Sequence, residues 1–189
     1  MREIDVSAIT KETLETDLFV TREFGQILAP KFEDILKSSE ENIFIFNFNN
    51  IKYTDFSCPN EVFRQLLKNL KNFGDKFIFL KGLDESKRDN FNIALNEEKL
   101  AMLEISEDNR FEVVGHLPDF LKEILSLSLK NNEDITARKI ADLKDTKIST
   151  ASSKLLTLWK QGLLIRKEII NEEGKQFIYR SVSELILKN

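Results

Sequence analysis

Apolar positions in the first 116 residues switch repeatedly between a period of two and a period near 3.6. Residues 3–9 alternate apolar and polar, the pattern of a half-buried strand. Residues 21–37 carry Phe24, Ile27, Leu28, Phe32, Ile35 and Leu36 at helical spacing, with Thr21 as the N-cap. Pro30 lies inside that run and marks either a kink or a later helix start. Residues 42–48 are β-branched and aromatic and read as a strand. Residues 57–73 form a helix candidate, with Val62, Phe63, Leu66, Leu67 and Leu70 on one face. Pro59 falls near its first turn, where proline is tolerated, and Gly74 ends it. Residues 76–81 are a short apolar run, read as a buried strand. Residues 84–103 read as polar and then helical, and residues 110–115 as a further strand. Short strands alternating with helices predict an α/β layer fold with a mixed sheet over residues 1–116.

After Gly115 the pattern changes. Residues 118–129 are helical, with Phe120, Leu121, Ile124, Leu125 and Leu129 apolar. A short helix follows over 136–143, capped by Thr136, with Ile140 and Leu143 expected inward. A third helix over 149–161 carries Leu155, Leu156, Leu158 and Trp159, and Gly162 suits its C′ position. Two alternating runs, 163–170 and 175–182, joined at Asn171-Glu172-Glu173-Gly174, read as a hairpin. Domains are therefore expected at 1–116 and 117–189.

Composition narrows the classes. Hydrophobic residues make up 41%, enough for a packed core, and the 15 Phe fall mainly in segments of strand or helix period. One Cys and one His exclude an internal disulfide and any His/Cys metal constellation within one chain. The first residues do not resemble a signal peptide, and no apolar run approaches the ~20 residues that span a bilayer. We therefore expect a cytoplasmic chain with no membrane partner. The net charge of −4 is unevenly spread: residues 117–189 hold 13 Lys and Arg against 10 Asp and Glu, and residues 1–116 hold 15 against 22. Such asymmetry turns the second domain toward a polyanion.

The three helices and hairpin, with Ser149-Thr150-Ala151-Ser152-Ser153 opening the third helix and Gly162-Leu163-Leu164 leading into the first strand, resemble bacterial winged helix-turn-helix domains. The resemblance implies binding to double-stranded DNA, with the third helix in the major groove. Ser149, Thr150, Ser152 and Ser153 are short donors and acceptors for base edges or phosphates, flanked by Lys147 and Lys154. Arg166, Lys167 and Lys175 sit on the hairpin, where they can neutralise phosphate. The bland reading of any one of these residues is a helix cap or a solvated face, with Ser149 as the N-cap.

In the first domain, Asp55 and Ser57 stand where a strand-like segment meets a helix. Asp-x-Ser followed by Cys58-Pro59-Asn60-Glu61 resembles the STAS-like branch of the STAS (sulfate transporter and anti-sigma antagonist) domains. The resemblance implies that Ser57 accepts phosphate and that this switches partner binding; the acidic balance of residues 1–116 and this turn point in addition to a protein partner or self-association near Ser57. Phe56, where a small residue is usual, and Pro59, which removes an N–H, depart from the phosphorylated members. The alternative for this turn is that Ser57 only caps the helix and Asp55 only ends the strand. No Gly-rich phosphate loop, Gly-x-Ser-x-Gly elbow or paired-cysteine motif is present, and nothing places Cys58 near His116. We therefore expect no enzyme, no cofactor and no metal. The expectation is a DNA-binding transcriptional regulator with a STAS-like input domain. The alternative is a protein-interaction adaptor whose winged helix does not touch DNA.

Overall fold

The structure, a computed structural model, describes residues 1–131, 134–171 and 174–187. The chain divides into two units, Met1–Leu117 and Pro118–Asn189. Glu172 and Glu173 of the expected turn lie outside the described residues.

The first unit runs β1 (Arg2–Asp5), α1 (Val6–Leu14), β2 (Leu18–Phe19), α2 (Arg22–Ser38), β3 (Ile43–Asn47), β4 (Tyr53–Thr54) and α3 (Ser57–Asn69). A 3-10 turn (Leu70–Phe73), β5 (Phe77–Lys81), α4 (Glu85–Glu97), β6 (Ala101–Ile105) and β7 (Phe111–Gly115) complete it. It is an α/β fold with a mixed sheet in the order β1-β3-β5-β6-β7. The first four strands are parallel and β7 is antiparallel; β2 and β4 form a separate parallel pair. Alternate residues Phe44, Phe46, Ile78 and Leu80 join one core with Leu28 and Phe32 of α2, Phe63 and Leu66 of α3, and Phe91 of α4. Edge-to-face contacts link Phe32 to Phe46 (5.1 Å), Phe46 to Phe63 (5.4 Å), Phe48 to Phe91 (5.0 Å) and Phe19 to Phe48 (5.3 Å). Much of the phenylalanine content is thus core packing, each ring pair adding about 0.5–1.5 kcal/mol beyond its buried area.

Two expectations for this unit need correction. The strand expected over 3–9 ends at Asp5, whose carboxylate accepts the Ser7 and Ala8 N–H groups and starts α1. The helix expected over 84–103 ends at Glu97, and residues 101–105 form a fully buried strand. The run Ala-Met-Leu-Glu-Ile is rich in helix formers, so local propensity favours the helix; pairing with β5 and β7 on both sides overrides it. By contrast α2 continues through Pro30, which lies exposed, and Thr21 caps it by accepting the Phe24 N–H.

The second unit contains α5 (Asp119–Asn131), α6 (Ala137–Leu143), α7 (Ile148–Lys160), β8 (Leu164–Asn171), β9 (Gly174–Ser181) and α8 (Ser183–Leu187). Ile135, just before α6, pairs with Tyr179 of β9 through two backbone hydrogen bonds of 2.9 and 2.8 Å. Thr136 caps α6 by accepting the Lys139 N–H. Leu143, expected inward, is 58% exposed: Ile140 and Ala141 fill the inner face of this two-turn helix, and Leu143 falls at its open end. At the end of α7, Gly162 takes φ 76°, and the Gly162 and Leu163 N–H groups bond the carbonyls of Trp159 and Leu158. This is a Schellman closure, which delivers the chain directly into β8.

Candidate functional site

The start of α7 is built differently from most helix starts. Lys147 occupies the N-cap with extended backbone, and its side chain, which has no acceptor, makes no cap bond; Ser149 therefore lies inside the first turn and is not the N-cap. Ala151, Leu155 and Leu158 are fully buried, which fixes the inner face. The same period turns Ser149, Thr150, Ser152 and Ser153 to solvent. The Ser153 hydroxyl donates to the Ser149 carbonyl at 3.0 Å, so part of its capacity is used within the helix. Lys147 is exposed, and Lys154 is half-buried one residue after the hydroxyl run. The result is a helix face of short hydroxyls with a cation at each end. Such a face offers short hydrogen-bond donors and acceptors with positive charge beside them.

The hairpin treats its three cations in three ways. Lys167 is exposed. Lys175 pairs with Glu168 at 2.8 Å and stands 5.5 Å above the Phe177 ring. Arg166 turns inward: its guanidinium carbon lies 3.5 Å from the Phe177 ring centre and 4.9 Å from that of Trp159. Its Nε is buried without a hydrogen-bond partner among the described residues. Burial pushes the Tyr179 hydroxyl above the ordinary tyrosine range, while the adjacent Arg166 charge pulls the other way.

A cleft of about 420 Å³ opens between the start of α6, the start of α7 and β9, with Thr136, Arg138, Ile148, Ser152, Lys175 and Gln176 among its lining residues. It brings together Ser152 and Lys175 of the expected site; Lys147, Ser149, Thr150, Ser153, Lys154, Arg166 and Lys167 do not line it. Thr136, Arg138 and Gln176 were not expected there. The Thr136 cap and the Arg two residues later were the available signal, since a capped short helix presents its first turn outward. Arg180 of β9 pairs with Asp134, tying the segment before α6 to the hairpin and holding the Asp134 carboxyl below its usual range.

The start of α3 is closed by comparison. One Asp55 oxygen accepts the Ser57 N–H (2.9 Å), the Ser57 hydroxyl (3.0 Å) and the Cys58 N–H (3.1 Å). The other accepts the Thr21 N–H at 2.9 Å. Thr21 has φ 61°, a conformation that β-branched residues rarely adopt. Asp55 therefore caps α3 and pins the start of α2. Ser57 is half-buried, and Cys58, Pro59, Asn60 and Glu61 are buried. Burial pushes the Cys58 thiol well above its usual range, which disfavours the thiolate that a nucleophile needs. His116 is exposed. Beside this turn Tyr53 and Phe56 are 51% and 41% exposed.

Among the described residues, no group of three or more His, Cys, Asp or Glu side chains is placed to hold a metal ion, and no helix is long and apolar enough to cross a membrane. No family model matches the chain, and no curated protein or solved structure gives a significant match to it.

Proposed function

We propose that this chain is a cytoplasmic DNA-binding transcriptional regulator, with a winged helix-turn-helix domain in its second unit and a STAS-like input module in its first. The observation that carries the reading is the outward hydroxyl face of α7, held in a helix–helix–hairpin unit. In this reading α7 enters the major groove, and Ser149, Thr150 and Ser152 meet base edges. Lys147, Lys154, Lys167 and Lys175 neutralise phosphates beside the groove. The excess of cations over carboxylates in residues 117–189, against the opposite balance before them, supports assigning the polyanion to the second unit.

The first unit then serves for input. A phosphate on Ser57 would break the hydroxyl's bond to Asp55 and set two anions side by side. The exposed Tyr53 and Phe56 give a protein partner aromatic anchors at the same turn, so partner docking is the better-supported form of input.

The adaptor reading draws on one observation: Ile148 is 51% exposed on α7 and Ile170 is 80% exposed on the hairpin, apolar positions that suit a protein surface better than phosphates. Binding of the full chain to random duplex DNA across a salt series separates the two. Four neutralised phosphates give a slope of log K against log salt of about −3 to −4. Absence of salt-dependent binding assigns the adaptor role instead.

A further inference from the structure

We infer that Arg166 is a positioning residue that holds the hairpin on α7, and that it is not a ligand for phosphate. The inference rests on the DNA-binding reading, because it concerns how that surface is kept in shape.

Three elements meet at this side chain. Arg166 lies on β8 opposite Tyr179 of β9, Phe177 lies two residues along the same strand, and Trp159 lies in the last turn of α7. The guanidinium carbon lies 3.5 Å from the Phe177 ring centre and 4.9 Å from that of Trp159. A guanidinium is planar, delocalised and weakly hydrated, so aromatic contact stabilises it where an ammonium would lose more hydration. A phosphate ligand needs a free N–H edge. Here the Nε edge is buried, and another part of the group lies against the Tyr179 hydroxyl.

The geometry also says what the stack positions. The Phe177 ring that contacts Arg166 supports the Lys175 ammonium at 5.5 Å. Trp159, Arg166, Phe177 and Lys175 form one contact series from the end of α7 to the cation nearest the hairpin tip. Arg166 is thus the side chain that links this cation to the end of α7 through aromatic contact. Lysine in its place keeps the charge and loses the planar contact.

Trp159 is the single tryptophan of the chain, so its fluorescence reads the stack directly. The test uses full-length Arg166→Ala and Arg166→Lys, with circular dichroism to confirm folding. Should the alanine variant fail to fold, the lysine variant, which keeps the aliphatic stem and the charge, carries the test. We expect both variants to shift Trp159 emission and increase its quenching by iodide. Both should weaken duplex binding about tenfold at fixed salt, Lys as much as Ala, because the Lys175 cation loses its support in both. The inference is overturned if Arg166→Lys keeps the wild-type affinity and salt slope while Arg166→Ala loses both, the signature of a charge contact that an ammonium can replace. Unchanged Trp159 emission in both variants overturns it as well. If the wild-type chain shows no salt-dependent binding, the DNA reading fails, and the emission of the two variants still decides whether Arg166 holds the hairpin.

Discussion

The first turns of α3 and α7 both carry hydroxyl residues, and the chain uses them in opposite ways. At α3 the polar groups are consumed: a single carboxylate, Asp55, takes the Ser57 hydroxyl, two N–H groups of the helix and the Thr21 N–H 34 residues earlier in sequence. At α7 no side chain caps the helix, and Ser149, Thr150 and Ser152 face solvent. Folding gains little from hydroxyls left in water, since they keep the partners they had in the unfolded chain. Their concentration on one face is therefore better explained by something outside the chain. A polar residue satisfied within the fold argues for structure, and a set of them aligned outward argues for contact.

The sharpest way to break this contrast is at Asp55. Asp55→Ala removes a charged acceptor from four donors and releases the strained Thr21. We expect it to lower stability by about 3 kcal/mol in urea denaturation, and Asp55→Asn, which can still cap, by about 1 kcal/mol. Ser149→Ala should change stability by less than about 0.5 kcal/mol. If Asp55→Ala proves neutral, α3 is no more closed than α7 and the distinction dissolves.

The second test works from the open side. Ser152→Glu with Lys154→Glu replaces a hydroxyl and a cation by two anions without touching buried Ala151 or Leu155. Duplex affinity should fall about a hundredfold, through lost attraction and new repulsion, while the melting temperature moves only a few degrees. A folded double mutant with wild-type affinity would remove α7 from the interface.

How much of this was legible in the sequence depended on whether the cause was local. The α7 face was readable because Ala151, Leu155 and Leu158 set its period within one helix. The α2 cap was readable because Thr21 and Phe24 are neighbours in sequence. Strand β6 was not, because its run favours helix by propensity and becomes a strand only between β5 and β7. The inward turn of Arg166 was hidden for the same reason, since Trp159 and Phe177 come from different elements. The reach of Asp55 to Thr21 crosses one helix and two strands, and no spacing rule announces it.

A third prediction extends the contrast from hydroxyls to amines. Lys175 stands exposed on the hairpin, whereas burial lowers Lys71 to about 8, with its ammonium 5.0 Å from the Phe77 ring centre. An unfolded lysine titrates near 10.4. Folding therefore favours the neutral amine, and the penalty is full below about pH 8 and vanishes above about pH 10.5. Stability should rise with pH across that window. Lys71→Met should add about 1 kcal/mol at pH 7, a value discounted for the group's partial exposure, and should flatten the rise. An identical pH profile in the two proteins would show that the amine is solvated, as on the hairpin.

The smallest expected effect lies at Glu168, and it sharpens the contrast within the open region itself. In the DNA-binding reading, Lys175 would reach a phosphate only by leaving the Glu168 carboxylate, which lies 2.8 Å away with 43% of its side chain exposed. Exposed pairs of this kind are worth little to stability, so Glu168→Gln should leave the melting temperature nearly unchanged. Its effect on DNA is different in kind. The substitution removes a negative charge from beside Lys175 and frees a cation already supported by Phe177. Affinity should rise about threefold at low salt, and the gain should shrink as salt screens the charges. A parallel gain in Glu168→Gln/Lys175→Gln would mean that the field of Glu168 acts on DNA directly. Loss of the gain in that double mutant would identify Lys175 as the group that Glu168 restrains. Weaker binding by Glu168→Gln alone would place Lys175 off the DNA path, with the hairpin closed like the start of α3.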